Sequence, residues 1–132
     1  MNEFRRYETC WTKRLGDVDL TLMALKGEVQ PIQLTLAELI GRDVPAFAQI
    51  GSDYLEQFID RSKVCLGPPE NWFLHGIVVE QVLPGKAPTY LLDYSLFDDG
   101  DGMWTVAVSN YDLSDHPLEK GQRPFLLQRV QG

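Results

Sequence analysis

Two hydrophobic periods divide this chain, and they restrict its fold more than any other feature. Between Phe47 and Ile59 the residues Phe47, Ile50, Tyr54, Leu55, Phe58 and Ile59 recur at three- and four-residue steps, an apolar stripe down one helix. Before and after that stretch the period is two. Val18, Leu20, Leu22 and Ala24 fall opposite Asp19, Thr21, Met23 and Leu25, and Trp104, Val106 and Val108 fall opposite Thr105, Ala107 and Ser109. Strands therefore flank a helical middle.

The N-terminal segment reads as strands over Glu8 to Arg14 and Val18 to Leu25, joined by a turn at Leu15-Gly16-Asp17. Lys26-Gly27-Glu28 breaks the pattern, and Gln30 to Leu34 reads as a short third strand with Pro31 at its start. Thr35-Leu36-Ala37-Glu38 has the form of a capping box, opening a short helix that Gly41 ends. Asp43 is placed to cap a second helix with Pro45 in its first turn, running to about Arg61 before Gly67-Pro68-Pro69 stops it. Gly51 is the weak point of that helix, costing up to ~1 kcal/mol relative to alanine. The second half returns to strands: Trp72 to Leu83, a loop at Pro84 to Pro88, Thr89 to Phe97, a five-residue turn DDGDG, Met103 to Ser109, and a last run over Pro124 to Val130. The expected fold class is α+β: one domain over 1–132, a largely antiparallel sheet with one or two helices packed on one face.

A chain of 132 residues buries a core without staples. Its longest apolar runs, such as Ile77-Val78-Val79, fall far short of the about 20 residues that span a bilayer. The first residues, MNEFRRYETCW, meet charge at Glu3, Arg5 and Arg6 and hold no apolar signal core, from which a cytosolic protein is expected. Cys10 and Cys65 match neither a CxxC pair nor a metal spacing, and read as small, partly buried, reduced side chains.

Charge is more informative once it is located. The chain has 12 Lys and Arg against 19 Asp and Glu, a net of −7. Between Ala87 and Glu119 there is no Lys or Arg, and seven acids: Asp93, Asp98, Asp99, Asp101, Asp112, Asp115 and Glu119. The other 12 acids (19 − 7) balance the 12 bases, so one window carries the whole excess. Such a field repels nucleic acid and favours basic partners. Arg5, Arg6, Lys13 and Arg14 form the only basic cluster, small against that excess.

At the centre of the window stands FDDGDGMW, Phe97 to Trp104. With Gly102 at position 6 of a calcium loop, Asp101 and Asp99 fall at positions 5 and 3, but Phe97 and Val108 occupy positions 1 and 12 and cannot bind the ion. Carboxylates in a glycine-containing hairpin turn are also too well solvated for acid–base work. His75, inside a strand, and His116, before Pro117, have no neighbouring Cys or second His. There is no GxSxG, P-loop, GxGxxG or HExxH. No catalytic residue, cofactor or metal site is therefore expected.

The size, the acidic balance, the strand-rich α+β plan and the hairpin YSLFDDGDGMW resemble small bacterial immunity proteins of toxin–immunity systems, among them those of contact-dependent inhibition. The resemblance implies a cytosolic, non-catalytic inhibitor that binds a cognate toxin domain, often a basic nuclease, and blocks its working surface. It rests on plan rather than on a shared motif, so it transfers no residue. Charge alone nominates Asp98, Asp99, Asp101, Asp112 and Asp115 as the partner-binding field, with Trp104 or Tyr111 as aromatic anchor. The alternatives are a small enzyme using Asp or Glu with His75 or His116, and a structural or oligomerisation module.

Overall fold

The computed structural model describes residues 3–25, 28–58, 72–96, 99–110 and 122–131. Seven strands form one open sheet whose spatial order follows the sequence: β1 (Arg5–Arg6), β2 (Cys10–Leu15), β3 (Val18–Met23), β4 (Trp72–Val79), β5 (Thr89–Leu96), β6 (Asp99–Asn110) and β7 (Gln122–Gln131). Every neighbouring pair is antiparallel except β3 and β4, which run parallel with Leu20 against Ile77 and Leu22 against Val79. A parallel pair needs a long crossover, and α1 (Pro31–Arg42) and α2 (Val44–Phe58) lie within it. The arrangement is α+β, as the two periods require. Among the described residues no helix is long and apolar enough to cross a membrane.

Both helices cover the same face. Val18, Leu20 and Leu22 of β3, Ile77 and Val79 of β4, Tyr90, Leu92 and Tyr94 of β5, and Trp104, Val106 and Val108 of β6 form one core with Leu36 and Ile40 of α1 and Phe47 and Leu55 of α2. Helix α1 lies over β3 and β4, and α2 reaches β6 and β7. The N-terminal hairpin turns on Gly16, whose φ of 62° suits the first central position of a two-residue loop closed by Leu15 and Val18.

Three local expectations change. Gln30 to Leu34 is not a strand: Pro31 opens α1, where a fixed φ and a missing N–H cost nothing. Gln33 Oε1 accepts the Gln30 N–H at 2.9 Å, so the cap is made by glutamines and Thr35 sits inside the helix with its hydroxyl donating to the Pro31 carbonyl at 3.2 Å. Gly41 lies within α1 rather than after it. Asp43 does cap α2, accepting the Ala46 N–H on Oδ1 at 3.3 Å, while its own N–H closes α1 on Ile40 O. The remaining expected helix, from Ile59 to Arg61, lies outside the described residues, as do Cys65 and the Gly67-Pro68-Pro69 stop.

The glutamines go on to tie the crossover to the sheet. Fully buried Gln33 donates Nε2 to the carbonyls of Met23 (2.8 Å) and Val79 (3.3 Å), the last residues of the two parallel strands. Gln30 meets Val82 twice, accepting its N–H at 2.7 Å and donating to its carbonyl at 3.0 Å. A side-chain amide here stands in for a strand neighbour.

Gly51 marks where α2 touches the sheet. A Cβ built there would collide with the Tyr94 hydroxyl and lie 2.8 Å from Leu92 Cδ1. The glycine is therefore required for the helix to seat, against its intrinsic helix cost. Gly51→Ala gains ~1 kcal/mol of helix propensity but overpacks the contact by about 1–3 kcal/mol. It should destabilise on balance, read as a lower urea midpoint; a raised midpoint would show that α2 can lift without loss. Gln33→Leu strips one buried carbonyl, one part-buried carbonyl and a part-buried N–H of their partner, and at about 1–3 kcal/mol for the buried group alone it should cost ~2 kcal/mol. An unchanged midpoint would mean that water or a shift of α1 replaces the amide.

Candidate functional site

The nominated acidic window is less of a free turn than its sequence suggests. Strand β6 begins at Asp99, paired with Leu96, and Gly102 pairs with Gln131 of β7. Asp99 to Gly102 of the expected five-residue turn thus belong to the strand, and Asp98 lies outside the described residues. The next pair after Leu96 and Asp99 is Tyr94 with Trp104, so Ser95 faces the four residues Gly100 to Met103. A bulge of that size suits a stretch with two glycines, which tolerate the irregular backbone. Asp99 and Asp101 lie on this stretch; Asp98, Tyr111, Asp112 and Asp115 lie outside the described residues, as does His116. Trp104 is not at the surface. Only 7% exposed, it packs edge-on to Trp72 with ring centres 6.1 Å apart. Its place at an alternating inward position explains this, and removes it as an exposed anchor.

Register puts further acids at the same end of the sheet. Trp72 pairs with Leu96, which pairs with Asp99, so the start of β4, the end of β5 and the start of β6 lie together. The second half of α2 crosses above them, seated by Gly51 on Tyr94. Between helix and sheet is a cleft of about 400 Å³, lined by Ala48, Gln49, Asp53 and Glu56 of α2 and by Trp72 and Tyr94 below. No sequence signal marks it, because it joins residues 16 positions apart (Glu56 and Trp72) and 46 apart (Ala48 and Tyr94); the helical spacing of Gln49, Asp53 and Glu56 on one face is the only trace.

Its polar groups are held by specific bonds. Trp72 Nε1 donates to Glu56 Oε1 at 2.5 Å, Gln49 Nε2 donates to Asp53 Oδ1 at 2.6 Å, and the Tyr94 hydroxyl donates to the Ala48 carbonyl at 2.6 Å. Burial raises the Tyr94 pKa far above that of a free phenol, and the nearby Asp53 charge adds to the rise. Tyr94 is thus a fixed donor, not an acid.

The opposite face carries the remaining titratable group of interest. Asp93 accepts Thr105 Oγ1 at 2.7 Å, and exposed His75 lies 2.5 Å from Ser95 through Nε2 and Oγ. His75 is the residue at which β4 slips register between Leu74 and Gly76. Serine, histidine and aspartate are neighbours here, but on an open sheet surface where water meets the serine directly, and a nucleophile gains little from such a setting. Among the described residues no group of three or more His, Cys, Asp or Glu could hold a metal ion.

Comparison with family models, with curated proteins and with solved structures gives no match.

Burial raises the Asp93 pKa above the ordinary 3.8, opposed by the Thr105 hydrogen bond and by His75. A carboxyl whose folded pKa is raised favours the folded state while protonated and loses that contribution as pH climbs from 3.8 through the folded value. Asp93→Asn should therefore gain stability relative to the parent across that rise and hold a constant difference above it. Urea midpoints of the two proteins followed with pH test this; a difference that does not vary with pH would place Asp93 in full contact with water.

Proposed function

We propose that the chain is a non-catalytic binding protein whose acidic sheet end docks a basic protein, and that it works as a cytosolic immunity protein neutralising a toxin domain. The observation that carries this reading is the run of acids, without a Lys or Arg, that β5 and β6 share. Arg5, Arg6, Lys13 and Arg14 sit on β1 and β2 at one edge of the sheet, and Arg123 and Arg129 on β7 at the other, beside β6. Three of the residues on β1 and β2 are engaged within the chain: Lys13 with Glu3 at 2.6 Å, Arg14 with Asp19 at 2.9 Å, and Arg6 over the Trp11 ring at 5.3 Å. The window without Lys or Arg begins on β5 and continues through β6, four and five strands away in order from β1. Over the start of β4 and the end of β5, Asp53 of α2 takes a hydrogen bond from the neutral donor Gln49, which orients the carboxylate without cancelling its charge.

A one-sided negative field raises the encounter rate with a basic partner and disfavours acidic competitors. The resemblance to immunity proteins supplies the class of partner, a basic toxin domain such as a nuclease. The acids on the bulged start of β6 would meet it, with the α2 carboxylates beside them.

Replacing Asp98, Asp99 and Asp101 together by Asn should slow association with the partner by about tenfold at low salt, with the difference shrinking as salt screens both proteins. The measurement is capture from the native host over a salt series, then association kinetics with the captured protein. A partner that is basic, arrests growth when expressed alone and is silenced by co-expression of this chain supports the reading. Binding indifferent to salt and to the three substitutions sinks it.

A further inference from the structure

Strand β6 opens on a chemistry that the binding reading does not use. Asp99-Gly100 and Asp101-Gly102 are the only two Asp–Gly steps of the chain, and it has no Asn–Gly step. At such a step the main chain can attack the aspartate, because the glycine has no side chain to hold its nitrogen away from the carboxyl carbon. A strand held in a ladder resists the attack: closing the ring needs a rotation out of extended backbone that breaks the pairing. Register should therefore tell the two steps apart.

The register holds them unequally. Asp99 pairs with Leu96, and the next pair on that side is Tyr94 with Trp104, which leaves Gly100 without a partner on β5. On the other side the pairing with β7 starts at Gly102, opposite Gln131, and continues through Met103 with Val130 and Trp104 with Arg129. Among the described residues Gly100 thus stands outside both ladders, while Gly102 is tied to one. We propose that Asp99–Gly100 is a site of spontaneous isoaspartate formation, and that Asp101–Gly102 is spared by its pairing with β7. In the first step the Gly100 nitrogen bonds to Asp99 Cγ and a Cγ–O bond breaks; the oxygen leaves as water with the carboxyl proton and the amide proton. One water then adds to the resulting succinimide. Cleavage of the N–Cγ bond restores aspartate, and cleavage of the bond from nitrogen to the α-carbonyl carbon leaves the chain running through the β-carboxyl. The charge survives, now on the α-carboxylate, and the main chain is one methylene longer at the start of β6.

The test needs the full chain and no partner. Folded protein, and protein unfolded in guanidinium chloride, are held for weeks in mildly acidic buffer and sampled over time. After digestion, electron-transfer fragmentation locates isoaspartate in the DDGDG peptide, so that each position is compared with its own rate in the unfolded chain. Asp99 should react in the folded protein at close to its unfolded rate. Asp101 should be slowed by about fivefold, the factor that one retained ladder hydrogen bond gives. Gln131→Pro removes the strand N–H opposite Gly102 and should release Asp101 while leaving Asp99 unchanged. Equal slowing at both positions, faster reaction at Asp101, or a folded chain that forms isoaspartate at neither overturns the assignment. None of these outcomes depends on whether the acidic end binds a basic protein.

Discussion

The buried amide of Gln33 is the contact on which the rest of the architecture depends. Among the described strands one pairing is parallel, β3 with β4, and the chain between those strands must leave the sheet and return to it. At the point of departure the ends of both strands would present backbone carbonyls to an apolar core. One side chain answers both, since Gln33 Nε2 reaches Met23 O and Val79 O while its oxygen takes the N–H of Gln30. A leucine would fill the space but leave these groups orphaned, which is costlier than the hydrogen bonds are individually worth. With α1 fixed over β3 and β4, Asp43 ends one helix and begins the next, and α2 is delivered to the other half of the sheet.

Strand β4 shows how a register slip serves the same core. A strict period of two would put Trp72 and Leu74 on the face opposite Ile77 and Val79. The irregularity between Leu74 and Gly76 shifts the phase by one, so Trp72 is buried beside Tyr94 and Trp104 while Ile77 and Val79 remain buried beside Leu92 and Tyr90. His75 is the residue left over by that shift. Its exposure and its contact with Ser95 follow from the bulge, which accounts for a strand histidine without any chemistry.

What the sequence disclosed and what it concealed divide along one line. Alternation at Val18 to Ala24 and Trp104 to Val108, and Phe47 and Leu55 of the helical stripe, stated which residues face the core, because burial imposes those periods directly; Phe58 of the same stripe is 59% exposed, and Ala107 is buried on the other face of β6. The α+β class and the largely antiparallel sheet were legible for that reason. Gln30 to Leu34 misled because a glutamine amide can satisfy backbone groups as well as a conventional cap, and nothing local reveals that its partners are Met23, Val79 and Val82. Gly51 misled in the same way: its helix cost is intrinsic, and its reason, the Tyr94 ring, is more than 40 residues distant. The cleft was illegible because α2 and β4–β5 meet only in the folded chain. Trp104 was nominated from composition and charge context, where its alternating position already pointed inward.

Tyr94 connects these levels into an argument about binding. Its ring seats against Gly51, its hydroxyl is spent on the Ala48 carbonyl, and it lies at the floor of the cleft. It is 1% exposed and stands on a central strand, so it loses no freedom when a ligand arrives. Asp53 and Glu56 are on a helix whose distance from the sheet is set by that same contact, and each is tethered by a neighbour. A partner docking here would meet carboxylates already placed, and the ordering cost that weakens most exposed ion pairs would have been met in folding. Charge alone could draw a basic protein to this end of the sheet from several directions.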